Sequence, residues 1–98
     1  VTSRAQVLAL LHQHRESLQR DFAVESLAIF GSAARDDLRP ESDVDILVDF
    51  SGPATFDRYF GLKDRLKATL GRPVDLVTSK GLKPRARQQV EQDLVRVA

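Results

Sequence analysis

The sequence predicts an α/β protein in which helices pack on a small β-sheet, and three observations carry that expectation. Apolar residues recur at helical spacings of three and four in some segments and at the strand spacing of two in others. Glycine and proline cut the chain into short alternating elements. A length of 98 residues with 42% hydrophobic content supports one core and one domain, spanning 1–98, and leaves no room for a second.

The first element is a helix from Ser3 to about Asp21. Val7, Leu8, Leu11, Leu18 and Phe22 form its apolar stripe, polar Arg15 interrupts it, and Thr2/Ser3 precede it as capping residues. Leu27 to Phe30 is too short an apolar run for a helix and reads as a buried strand ended by Gly31. One or two helical turns follow from Ser32 to about Asp37, and Leu38-Arg39-Pro40 breaks them, because the residue before proline is driven out of the helical region. From Asp43 to Phe50 the residues alternate, with Val44, Ile46, Val48 and Phe50 on one face and Asp43, Asp45, Leu47 and Asp49 on the other. This predicts the second strand. Thr55 caps a helix whose stripe is Phe56, Tyr59, Phe60, Lys63, Leu66 and Leu70, and Gly71 ends it. Val74 to Thr78 is a third strand and Pro84 opens a last helix towards Leu94, with Leu94–Val97 readable as more helix or as an edge strand. The order αβαβαβα calls for helices on a sheet.

Composition narrows the function. The chain has no Cys, so a disulfide framework, a thiolate nucleophile and a Cys-ligated metal centre are excluded. No apolar run reaches the roughly 18 to 20 residues that span a bilayer, and VTSRAQ at the start lacks a signal peptide's apolar stretch, so the expected location is the cytoplasm. A net charge of +1 argues against direct nucleic-acid binding through a uniform basic field. The charge is nevertheless segregated. Asp36, Asp37, Glu41, Asp43, Asp45, Asp49 and Asp57 surround the single base Arg39, whereas Lys80, Lys83, Arg85 and Arg87 crowd a later stretch, either as a solvated helix start or as a docking patch.

Asp43 and Asp45, two apart on a strand, leave the same face with Cα atoms roughly 6.5 to 7 Å apart. Burying such a pair without a cation costs several kcal/mol per charge, on the order of the desolvation penalty, or forces one carboxyl to stay protonated. Asp75 sits in a similar apolar setting in Val74-Asp75-Leu76-Val77. Three carboxylates on adjacent strands suit Mg²⁺, with Mn²⁺ as a substitute, since both prefer hard oxygen ligands and keep waters that nucleotide phosphates can replace. Phe30-Gly31-Ser32 adds a strand that turns directly into a short helix, where glycine admits a phosphate to the backbone. Taken alone, Gly31-Ser32 is a tight turn with a serine cap, and an isolated Asp-x-Asp is a solvated edge.

Together, Gly31-Ser32, ten intervening residues, Asp43-x-Asp45 and the later Asp75 resemble the signature of the polymerase-β-like nucleotidyltransferase superfamily. Phe30-Gly31-Ser32-Ala33-Ala34-Arg35, Ser42-Asp43-Val44-Asp45 and Leu82-Lys83-Pro84 resemble most its minimal nucleotidyltransferase (MNT) domains, across nearly the whole chain. One departure is Asp36, where those domains commonly carry Gly; if the backbone there is left-handed, Asp is among the less penalised replacements. The resemblance implies a nucleotidyltransferase fold with a small mixed sheet. It implies that Asp43, Asp45 and Asp75 are catalytic and hold two Mg²⁺ ions, and that Gly31, Ser32 and Arg35 bind the nucleotide, with ATP as co-substrate. It also implies a partner: a helical HEPN ribonuclease toxin, neutralised by transfer of AMP to one of its tyrosines. The alternative is a non-catalytic antitoxin or helper module that neutralises a helical partner by binding alone.

The other residues offer less. Asp43-x-Asp45-x-Leu47 lacks the polar ligand and glycine that an EF-hand loop needs at Leu47 and Val48, and neither a Walker lysine motif nor a Gly-x-Gly-x-x-Gly fingerprint is present. Arg35 either balances phosphate charge or pairs with Asp36, Asp37 or Glu41. Phe56, Tyr59 and Phe60 read as core or interface rather than as a base-stacking platform.

Overall fold

A computed structural model describes residues 1–97. In chain order it contains α1 (Arg4–Gln13), α2 (Arg15–Phe22), β1 (Val24–Phe30), α3 (Gly31–Ala34), β2 (Val44–Phe50), α4 (Phe56–Leu70), β3 (Val74–Thr78), a 3-10 turn (Ser79–Gly81), α5 (Pro84–Gln92) and β4 (Val95–Arg96). The strands form one mixed sheet in the order β3-β2-β1-β4. β1 runs antiparallel to both β2 and β4, and β2 runs parallel to β3, as a crossover through the intervening helix α4 allows.

The alternation in β2 sets the two faces of this sheet. Val44, Ile46, Val48 and Phe50 are buried and join Leu27 and Ile29 of β1 and Leu76 of β3 in the main core, which α1, α2 and α4 cover through Val7, Leu11, Leu18, Leu62, Leu66 and Leu70. Asp45, Leu47 and Asp49 face the other way and are only half-buried. On that second face lies α5, anchored by Val90, its one buried residue, over a cavity of about 90 Å³ bordered by Ala28, Leu47 and Asp49.

Three boundaries depart from the sequence reading and an open one is decided; among the departures, the short helix expected from Ser32 to about Asp37 runs only over Gly31–Ala34. The expected helix from Ser3 to Asp21 is two helices that meet at His14, whose backbone (φ −99°, ψ 5°) leaves the helical range. The His14 carbonyl accepts both the Leu18 N–H at 3.0 Å and the Ser17 hydroxyl at 2.9 Å, and the break at the polar interruption lets Val7, Leu11 and Leu18 all reach the core. β1 begins at Val24 rather than Leu27, because Val24 pairs with Phe50 across a bulge between Val24 and Ser26. The alternatives for the end of the chain resolve as a strand: Val95 and Arg96 pair with Ile29 and Ala28. The Ser3 and Thr55 caps form as expected, each side chain accepting from the N–H three residues on.

Two polar clasps hold the loop that leads into β2. Arg72 donates to the carbonyls of Arg39 (2.9 Å) and Ser42 (2.8 Å), and its Nε donates to the carbonyl of Val1 (2.9 Å). Asp36 is left-handed (φ 59°), the conformation in which glycine is the usual occupant, and its carboxylate accepts from the Arg4 N–H at 2.8 Å. The contact caps the first turn of α1, so the carboxylate gives back in hydrogen bonding what the backbone costs in strain.

Candidate active site

The site is built where β1 ends. Asp45 is paired in register with Phe30 on one side and with Asp75 on the other, so it stands between the β1–α3 turn and the third carboxylate. Asp43 lies one residue before β2, near enough for its charge to act on Asp45. Gly31 has φ +66°, and a Cβ built there would collide with the Asp45 carboxylate. Glycine is therefore required twice at this position, by the backbone and by the approach of a side chain.

The carboxylates are less buried than the sequence reading expects. Asp45 is half-buried, beside an open cleft that α5 lines from the other side, while Asp43 and Asp75 are exposed. The strain of like charge concentrates on Asp45. Burial, and then the neighbouring Asp75 and Asp43, push its carboxyl up to about 6, against the opposing pull of Arg35. Arg35 offsets only part of this like charge.

Among the described residues no three His, Cys, Asp or Glu side chains are gathered closely enough to enclose a metal ion. The donor chemistry nonetheless fits a divalent cation: three hard carboxylates near the starts of two adjacent strands, the central one penalised for carrying its charge.

Two expectations for the neighbouring residues are corrected. Ser32 is not the cap of α3. The helix starts at Gly31, Phe30 occupies the cap position without a side-chain cap bond, and Ser32 sits half-exposed in the first turn. Arg35 pairs with none of Asp36, Asp37 or Glu41; its guanidinium crosses to Asp93 at the end of α5, 2.7 Å away, because its helix turn aims it over the site and away from its sequence neighbours.

That ion pair spans an open cleft of about 440 Å³ with Gly31, Arg35 and Asp45 on one side and Gln89, Gln92 and Asp93 on the other. The α5 wall escaped the sequence reading. One signal for it was present: Asp93 caps the C-terminus of α5, the end of a helix that disfavours a carboxylate, which points to a cation supplied from elsewhere.

The basic stretch is divided. Arg87 donates to the Ser79 carbonyl at 2.8 Å and helps hold the turn before α5, whereas Lys80, Lys83 and Arg85 are exposed. Of the aromatic residues, Tyr59 packs partly against the core and donates its hydroxyl to the Leu76 carbonyl, and Phe56 and Phe60 meet as tilted rings with centroids 4.5 Å apart on the outside, 76% and 44% exposed.

The chain matches the family model described as nucleotidyltransferase domain over residues 11–97. It is 35% identical over 92 residues to the protein adenylyltransferase MntA of Thermococcus cleftensis, covering 94% of this chain and 93% of that one. A solved structure of a candidate minimal nucleotidyltransferase superposes with a TM-score of 0.74 at 35% identity, covering 90% of this chain and 93% of the other. The fold is shared also with a Shewanella oneidensis complex of a tri-AMPylated HEPN toxin with its MNT antitoxin, at a TM-score of 0.67 and 22% identity, over 93% of this chain and 71% of that one.

Proposed function

The chain belongs to the nucleotidyltransferase domain family, as a minimal nucleotidyltransferase domain, and on that premise we propose that it moves AMP from ATP to a tyrosine hydroxyl of a helical HEPN toxin, acting as its antitoxin. The enzyme class follows from the family and from the relatives named protein adenylyltransferase. The HEPN partner is carried over from the Shewanella oneidensis complex, where the toxin bears AMP groups and the antitoxin has this fold.

The observation that carries the catalytic reading is the position of Asp45, between the bare backbone of Gly31 and the carboxylate of Asp75, with its ionised form disfavoured. A site shaped only for binding has no use for a charge held at such a disadvantage. Asp43 and Asp45 would hold one Mg²⁺ and, with Asp75, a second; bound there, the ions would offset the charge that develops on the entering and leaving oxygens of an in-line displacement. The protein's own contributions are separate. The Gly31 backbone and the Ser32 hydroxyl, at the turn from β1 into α3 beside the cleft, receive the outer phosphates. Arg35 reaches the same cleft and neutralises phosphate charge, exchanging its bond to Asp93 for one to the nucleotide. Asp75, exposed at the outer edge, meets the acceptor hydroxyl as it arrives from solvent and helps to take up its proton. Pyrophosphate leaves.

The test is incubation of the protein with labelled ATP, Mg²⁺ and a HEPN partner, beside Asp43→Asn/Asp45→Asn. Label should pass to the partner with the native protein and not with the double variant. Undiminished transfer by the folded variant would refute the assignment. Relief of toxicity by the double variant, without label transfer, would favour neutralisation by binding alone.

A further inference from the structure

We propose that α5 is the nucleoside-reading wall of the cleft and that the carboxamides of Gln89 and Gln92 hold the base of the donor nucleotide; this rests on the nucleotide reading given above. The cleft's volume of about 440 Å³ lies within the range of about 300 to 1,000 Å³ typical of small-molecule sites. Its two sides differ in charge. Arg35 brings a guanidinium to one side and Asp45 the carboxylate that would hold the metal, and that side belongs to the phosphates. The α5 side ends at Asp93, a carboxylate placed at the negative end of a helix, and that combination repels a triphosphate. It tolerates a neutral base, and a ribose hydroxyl can donate to it.

The helix is set up for this role. Val90 is buried and fixes the rotation of α5, so that Ala86, Gln89 and Asp93, at helical spacing, all border the cleft. Ala86, flanked by the long side chains of Arg85 and Arg87, leaves the opening clear. Gln89 and Gln92 are exposed and uncharged, and each carboxamide presents a donor beside an acceptor. Adenine presents the matching pair, its amino group beside a ring nitrogen. Asp43 and Asp75 do not border the cleft, so the acid edge remains free for the acceptor while the base lies against α5.

The experiment compares the native protein with Gln89→Ala/Gln92→Ala by calorimetric titration in Mg²⁺, using ATP and inorganic tripolyphosphate. ATP affinity should fall about tenfold, the low end of what one matched amide–base pair contributes. Tripolyphosphate binding and the melting temperature should not change. An unchanged ATP affinity in the variant, or an equal loss for tripolyphosphate, would overturn the proposal. A native protein that binds no nucleotide would overturn the nucleotide reading itself, and with it this one.

Discussion

The two faces of β2 are neighbours in sequence and opposites in physics. Val44, Ile46 and Val48 are fully buried beneath helices, whereas Asp45, Leu47 and Asp49 between them look out on a face that a single helix covers in part. The inward face supplies the stability and the outward face uses some of it, holding a carboxylate where it would rather be neutral. A strand can do both because its side chains alternate, so one segment anchors the site and belongs to it.

Adjacent substitutions should separate the two faces most sharply. Asp43→Asn/Asp45→Asn should abolish AMP transfer while the fold persists, whereas Ile46→Ala should lower stability by about 3 kcal/mol, as truncation of a fully buried side chain does, with transfer surviving below the melting point. Chemical denaturation beside label transfer would measure both. Loss of fold in the aspartate variant would erase the distinction.

Gly31→Ala joins the faces. It places a methyl group on the Asp45 carboxylate and forces a non-glycine residue to φ +66°, so the transfer rate should fall at least about 100-fold, the scale of a misplaced reacting group, with a stability loss of about 1 to 2 kcal/mol. Wild-type turnover would mean that Asp45 works from another position.

A pH series gives a smaller but signed effect. The folded-state value of Asp45 is raised to about 6 from an unfolded value of 3.8, so the folded state holds its proton more tightly. The stability this confers is fully present below about pH 3.8 and is lost as pH rises through 6. Asp45→Asn should therefore match the native protein near pH 4 and exceed it at pH 7 by about 1 kcal/mol, after allowance for solvent screening of a half-exposed group. A stability difference that does not vary with pH would show that the carboxylate carries no penalty.

Ser32→Ala should have the mildest effect on stability, a few tenths of a kcal/mol rather than the roughly 1 kcal/mol of a lost cap, because Phe30 holds the cap position. Its transfer rate should fall more than its melting temperature, if the hydroxyl meets phosphate. Parallel melting and turnover measurements would expose the opposite pattern.

Most of the fold was legible because period and punctuation agree. The alternation in β2, the Thr55 cap and Pro84 each fix an element without help from distant residues. The break at His14 was only hinted at by the polar Arg15 that interrupts the apolar stripe, because packing decides whether the helix bends there. In the candidate site, Asp43 and Asp45 could be placed together from their spacing of two, whereas the pairing of Asp45 with Asp75 and its approach to Gly31 depend on strand register, to which the family resemblance pointed. Arg35's partner could not, because Asp93 comes to it through the return of α5 across the sheet, a tertiary fact with no local signature beyond a carboxylate at the wrong helix end. The burial of the aspartates was overread: an apolar strand sequence reports one covered face and leaves the other undetermined.

The parallel pairing of Asp45 with Asp75 also fixes when the site can exist. Parallel strands meet only through a crossover, here the whole of α4, so these two carboxylates are held apart until that helix has formed and β3 has docked. During synthesis, a chain whose residue Thr78 has not yet left the ribosome has no complete acid edge, although Gly31 and Asp45 are already outside. Activity then arrives as a late event of folding, and a truncated translation product carries the motif without the enzyme.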